Sequence, residues 1–220
     1  VVDENEIINF SVPTGNFGDV YAGYVSKKMG LPINKLIVAT NQNDILKRVI
    51  ASGEYKIKKV IETISPSMDI QIASNFERLV FDIYNQNYIK VQEKMNGLKE
   101  KKEFKIDEDH LSKIKKDFLS DSLSEKETKN SIKDFYRKFK IILDPHTAVA
   151  YGVLKKIFHK NKSVVLATAH PCKFPDVINQ AIGITPNLPS ELKYIMKEEE
   201  NFEIIPNNFQ KVKQAILQKI

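Results

Sequence analysis

The sharpest chemical signal in the sequence is Thr14-Gly15-Asn16-Phe17-Gly18-Asp19, which lies between an apolar run (Ile7, Ile8, Phe10, Val12) and a segment of helical apolar spacing. A glycine-bearing turn leading into a helix gathers backbone N–H groups with no carbonyl a turn earlier to pair with. The helix dipole adds attraction for an anion at the same place. Gly15 and Gly18 would let main chain approach a phosphate group without interference from a Cβ. The pattern lacks the Gly-Lys-Ser/Thr of a triphosphate loop and is not Gly-x-Gly-x-x-Gly, which disfavours nucleoside triphosphates and dinucleotides and leaves a monophosphate group as the better fit. A tight strand-to-helix turn without a ligand accounts for the same residues equally well.

Thr168 is the second candidate. It closes the run Val164-Val165-Leu166-Ala167-Thr168-Ala169, expected to be a buried strand. In a parallel sheet the carboxyl ends of strands share one edge, where ligands bind, so Thr168 is expected to face the crevice that holds Gly15. Its hydroxyl could meet a ring nitrogen of a phosphate-bearing cofactor and, unlike a carboxylate, would leave a pyridine nitrogen largely unprotonated. The plain alternative is a β-branched residue filling a strand. Asp44, His146, His170 and Lys173 flank the same expected edge. Lys173 suits contact with a substrate anion, or is a surface charge. The four histidines (His110, His146, His159, His170) show no metal-ligand spacing, so no metal site is expected. Cys172, the single cysteine, has no base beside it that would mark a catalytic thiol.

These residues need a scaffold. The chain has 220 residues, 42% of them hydrophobic, enough for a substantial core. Apolar runs without alternation at residues 7–12, 35–41 and 164–169 predict strands covered on both faces, as in a parallel sheet. A helix is predicted from Val20 to Met29, stopped by Gly30-Leu31-Pro32. Capping-box spacing at Ser74–Glu77 predicts a helix continuing to Gly97, and Ser124–Glu127 another reaching Phe139. Asp107 could cap a helix from His110 to Leu119, and Asp144-Pro145 opens one running through Ile157 and Phe158. Further helices are predicted from Pro175 to Ile182, Pro189 to Lys197 and Asn208 to Lys219. Residues 98–140, the most polar stretch, are expected to form a charged peripheral helical insertion.

The net charge is +6, but the lysines are interleaved with acids and only three arginines occur, so a solvated surface explains the charge better than nucleic-acid binding. No apolar run approaches the length of a membrane span. One thiol and the absence of a basic-then-apolar leader point to a cytoplasmic setting. The chain opens on Val1, so it is expected to be a piece of something longer.

Taken together, Ser11 to Asp19, Ala22-Gly23-Tyr24, Met29 to Pro32, Ala39-Thr40-Asn41 with Asn43 to Leu46, Ser65 to Ile70, Ser74 to Arg78, Asp144 to Val149, and Thr168 to Pro171 with Lys173-Phe174-Pro175 resemble threonine synthase of the microbial and fungal type. The ordered matches span residues 7–178. The resemblance implies a fold-type-II pyridoxal-phosphate enzyme of α/β class, a three-layer parallel sheet with flanking helices similar to tryptophan synthase β. Here the fold would be incomplete, with residues 1–97 and 141–220 forming the C-terminal part of the cofactor-binding large domain. It implies conversion of O-phospho-L-homoserine and water to L-threonine and phosphate. It also implies that Gly15, Asn16, Phe17, Gly18 and Asp19 grip the cofactor phosphate, that Thr168 meets the pyridine nitrogen, and that Asp44, His170 and Lys173 are candidates for substrate contact. The family's Schiff-base lysine precedes the first matched motif and has no counterpart here, so this chain alone is expected not to turn over. Another fold-type-II enzyme such as a serine or threonine dehydratase, and a non-catalytic phosphate- or nucleotide-binding domain, are the competing readings.

Overall fold

The computed structural model describes residues 6–157 and 162–220; Phe158 and His159, placed above in a helix and among the histidines, lie outside them. Two compact units divide the chain, Val1–Pro186 and Asn187–Ile220.

The first unit begins with β1 (Ile8–Pro13), α1 (Gly18–Lys28), β2 (Ile33–Thr40), α2 (Ile45–Ser52) and β3 (Glu54–Lys56). After an irregular stretch holding a 3-10 turn at Pro66–Met68 come α3 (Phe76–Ile83), α4 (Tyr88–Lys101), β4 (Glu103–Lys105), α5 (Glu108–Asp117), β5 (Phe118–Ser122) and α6 (Glu125–Phe139). Then α7 (Pro145–Ile157), β6 (Ser163–Val165), a 3-10 turn at Pro171–Lys173 and α8 (Pro175–Ile182) complete it. The main sheet has the order β5-β2-β1-β6, and all three pairings are parallel.

Successive β2 side chains serve opposite faces of this sheet, as the strand period of two requires. Leu36 and Val38 join a core with Val20, Ile45, Val49, Leu79 and Phe118. Ile37 and Ala39 join a second core with Leu123, Val149, Ala150 and Val153 of the α7 side. Helices thus cover both faces, which is why β2 reads as an unbroken apolar run, and the three-layer α/β class expected from it is observed.

Some elements depart from expectation. The helix predicted from Ser74 to Gly97 is two helices: Asn85 and Gln86 both adopt positive φ, 55° and 61°, and break it. The Ser74–Glu77 capping box does not form, since Asn75 is the N-cap and its side chain makes no cap bond. By contrast, Ser124 and Glu127 make the reciprocal capping box in full. The segment 98–140 is not a purely helical appendage. Strand β4 lies within it and pairs antiparallel with β3, with the Tyr55 and Phe104 rings stacked at 4.7 Å. Strand β5 forms the outer strand of the main sheet beside β2. Phe-Leu-Ser-Asp-Ser carries little strand signal of its own; the open backbone groups of β2 recruit it.

The second unit holds a 3-10 helix at Ser190–Lys197, predicted above as an ordinary helix, and α9 (Phe209–Leu217). The Asn208 side chain caps α9 by accepting from the amides of Gln210 and Lys211. Among the described residues no helix is long and apolar enough to cross a membrane.

Candidate functional site

Strand β1 delivers the glycine loop to the carboxyl edge of the sheet. Thr14 anchors its first residue: the amide donates to the Ala39 carbonyl at 2.8 Å and the hydroxyl to the Val12 carbonyl at 2.7 Å. Asn16 folds back so that its Oδ1 accepts from the Gly18 amide at 2.9 Å. On the far side, the Asn16 carbonyl accepts from the Asn75 amide and Nδ2, at 3.0 and 3.2 Å, and so ties the loop to the start of α3.

The left-handed position in this loop is neither glycine. Phe17 holds φ 69° as the N-cap of α1, a conformation costly for a large side chain. Its ring is completely buried, edge-on to Phe76 at 5.2 Å and beside Phe118 at 5.7 Å. Burying a ring of that size is worth about 2–3 kcal/mol, enough to hold the backbone there. Gly15 also serves a close approach not expected from sequence: a Cβ on it would come within 2.7 Å of the Ser67 carbonyl oxygen and 3.0 Å of Ile70 Cδ1. Its missing side chain makes room for the Pro66–Met68 turn.

Of the amides at the start of α1, that of Gly18 is taken by Asn16. Those of Asp19 and Val20 have no carbonyl one turn earlier in the helix to pair with; Asp19 is exposed and its amide is a donor an anion could meet, whereas Val20 is fully buried.

A cavity of about 260 Å³ opens here, lined by Gly15, Asn16 and Asp19 on one side and by Thr168, Lys173 and Phe174 on the other. Ser67 and His146 also line it, with Pro13, Met68 and Ala169. The register explains the meeting. Ser11 pairs with Val165 and the Leu166 amide donates to the Ser11 carbonyl at 3.0 Å, so the residues following each strand emerge side by side. Larger hollows of about 520 and 490 Å³ lie elsewhere. They contain none of the loop residues.

Five expected residues therefore share one cavity: Gly15, Asn16, Asp19, Thr168 and Lys173. The others do not line it. Phe17 points into the core, and Gly18 is covered by the Asn16 side chain. Asp44 is ion-paired to Arg48 Nε at 2.8 Å, and Arg48 also reaches Gln71. The His170 ring accepts from the Cys172 amide at 3.2 Å, with Cys172 Sγ 2.8 Å from Nδ1, and so caps the Pro171–Lys173 turn. Thr168 does not end a buried strand: β6 stops at Val165, is half exposed with only β1 paired to it among the described strands, and Thr168 follows on an irregular, exposed stretch.

His146 and Ser67 are polar wall residues given no role from sequence. Asp144 caps α7 by accepting from the amides of His146 and Thr147 at 2.8 and 3.2 Å. It also accepts from the Thr147 hydroxyl, and its Oδ1 lies 3.2 Å from His146 Nδ1. Burial opposes ionisation of Asp144, but these hydrogen bonds, led by His146, outweigh it and hold the carboxyl below its ordinary range. The signal for His146 was available: an Asp-Pro cap puts the next residue in the first turn of a helix that packs on β1 and β2.

The Pro66–Met68 turn is positioned by a polar network. Asp69 Oδ1 accepts from Asn41 Nδ2 at 2.7 Å, Asn43 Nδ2 at 2.9 Å and the Thr63 hydroxyl at 2.7 Å, and Oδ2 from the Thr63 amide at 2.8 Å. Among the described residues no group of three or more His, Cys, Asp or Glu side chains is placed to hold a metal ion.

Residues 147–216 match the family described as threonine synthase, C-terminal. Threonine synthase of Pseudomonas aeruginosa is 39% identical over 214 residues, which are 96% of this chain and 46% of that protein. The crystal structure of a pyridoxal-phosphate-bound threonine synthase from Brucella melitensis superimposes with a TM-score of 0.91 at 44% identity, covering 97% of this chain and 46% of that one. The yeast enzyme superimposes with a TM-score of 0.85 at 39% identity, covering 97% and 48%. The chain spans about half the length of the curated relatives it matches. Nearly its whole length is similar to just under half of these threonine synthases, and residues 147–216 match the family's C-terminal model.

Proposed function

We propose that this chain is the cofactor-phosphate-gripping portion of a cytoplasmic, pyridoxal-phosphate-dependent threonine synthase of fold type II, which converts O-phospho-L-homoserine and water to L-threonine and phosphate. In this reading residues 1–97 and 141–220 belong to the C-terminal part of the cofactor-binding large domain, and β5 joins them through the sheet. The observation that carries the proposal is the meeting of the glycine loop and Thr168 in one cavity.

The residues present fit the group. A cavity of about 260 Å³ is small beside ordinary ligand pockets of roughly 300–1,000 Å³, which suits one ring bearing a monophosphate and not a dinucleotide. When bound, pyridoxal phosphate supplies an electron sink for carbanion chemistry at the substrate α-carbon. The loop from Gly15 to Asp19 holds its phosphate, with the Asp19 amide as a donor, and the N-terminal dipole of α1 favours the charge. The Asp19 carboxylate would repel that phosphate, so its contribution is the main-chain donor. Phe17 and Gly18 act through the loop: the first fixes its shape from the core, the second by the bond to Asn16. The Thr168 hydroxyl meets the ring nitrogen. Lys173, an exposed cation on the cavity wall, attracts an anionic group of the substrate. Asp44 and His170, which do not line the cavity, reach substrate only if their segments shift. The Schiff-base lysine comes from outside this chain, which alone does not turn over.

The test joins this chain to the remainder of its protein and assays phosphate release from O-phospho-L-homoserine with pyridoxal phosphate added. Threonine and phosphate in equal amounts support the proposal. No phosphate release, with 2-oxo acid formed from serine or threonine, replaces it with a dehydratase. Tight AMP binding without either activity replaces it with a nucleotide-binding domain.

A further inference from the structure

His146 is 4% exposed, packed against the Phe174 ring at a centroid distance of 5.1 Å, yet it forms part of the cavity wall. Its two nitrogens face different partners. Nε2 lies 3.3 Å from the Ser67 amide nitrogen. A backbone amide can only donate, so Nε2 carries the lone pair. Nδ1 faces the Asp144 carboxylate at 3.2 Å, which can only accept when ionised, so Nδ1 carries the hydrogen. Asp144 is itself fixed by the first turn of α7. A continuous chain of contacts therefore runs from that turn through the imidazole to Ser67, whose carbonyl oxygen abuts Gly15.

We propose that His146 is a positioning residue: its Nε2 lone pair latches the Pro66–Met68 turn against the glycine loop and so holds the wall of the phosphate crevice in place. The requirement at position 146 is an acceptor aimed at the Ser67 amide, not an acid or base. This rests on the reading of the crevice as a pyridoxal-phosphate site, but the latch itself exists without cofactor.

Two substitutions separate the halves of the imidazole. In His146→Gln the amide oxygen can replace Nε2 as acceptor for Ser67. In His146→Asn the shorter amide can donate to Asp144 in place of Nδ1 but does not reach Ser67. The experiment uses the whole protein that carries this chain and measures hydrogen exchange of the Ser67 amide without cofactor, then affinity for pyridoxal phosphate by absorbance titration. The expected result is protection of Ser67 in the wild type and in His146→Gln, and loss of protection in His146→Asn. Affinity should fall about 5- to 10-fold in His146→Asn, the equivalent of one lost hydrogen bond, and should stay within about 3-fold of wild type in His146→Gln. Protection retained in His146→Asn, or a His146→Gln protein that folds but is as defective as His146→Asn, overturns the latch. Turnover abolished in His146→Gln with affinity and protection intact overturns it as well, because the ring would then be acting as an acid or base. Failure of the wild type to bind pyridoxal phosphate at all defeats the functional reading, and the exchange measurement still decides the latch.

Discussion

The Ser67 carbonyl oxygen stands so near Gly15 that a Cβ added there would lie 2.7 Å from it, with Ile70 Cδ1 at 3.0 Å on another side. The first neighbour is main chain held by the Asp69 network and cannot rotate away. Gly15→Ala should therefore cost about 1–3 kcal/mol, as overpacking does, and should displace the Pro66–Met68 turn. Thermal unfolding checks it; a melting temperature equal to wild type would show that the two loops separate freely.

Phe17 joins an unfavourable backbone to a fully buried ring. Phe17→Ala removes the contacts with Phe76 and Phe118 and leaves the left-handed φ without compensation. The expected loss is about 3–5 kcal/mol, as for other large-to-small changes in a core. Denaturant unfolding measures it, and a loss under about 1 kcal/mol would mean that the loop is shaped by something other than this ring.

Asp69 accepts from Asn41, Asn43 and Thr63, four donors in all. Asp69→Ala takes the acceptor from the Thr63 amide, while Asn41, Asn43 and the Thr63 hydroxyl keep other partners, for an expected cost of about 1–3 kcal/mol. The damage should be local to residues 57–75, so proteolysis in that stretch should accelerate before the sheet unfolds. Uniform destabilisation with no new cleavage there would count against the network's role.

Glu127 gives the fold an acid-sensitive contact. Hydrogen bonds from Lys156 and Ser124 lower its carboxyl from 4.5 to about 2. A depressed carboxyl contributes stability that is complete above pH 4.5 and vanishes as the pH falls through about 2. The side chain is 44% exposed, so screening limits the contribution to about 0.5–1 kcal/mol. Glu127→Gln should lower stability by that amount at pH 7, and the gap to wild type should close near pH 2. Asp144 acts in the same direction from a more buried position. A gap that widens on acidification would reverse the assigned sign.

The residues themselves determined whatever depends on neighbours in the chain. The loop from Pro13 to Asp19 between a strand and a helix, the Gly30 stop, the Ser124–Glu127 box and the Asp144 cap follow from local hydrogen bonding and apolar spacing, and each stands where expected. Tertiary structure decided what depends on partners far away. Strand β5 exists because β2 offers it a ladder. Thr168 is exposed because β6 has a neighbour on one side only among the described strands. Gly15 is closely approached by Ser67, and Phe17 takes the strained angle because rings from α3 and β5 enclose it. Local sequence fixes which backbone groups need partners; only the packed chain fixes which distant residue supplies them.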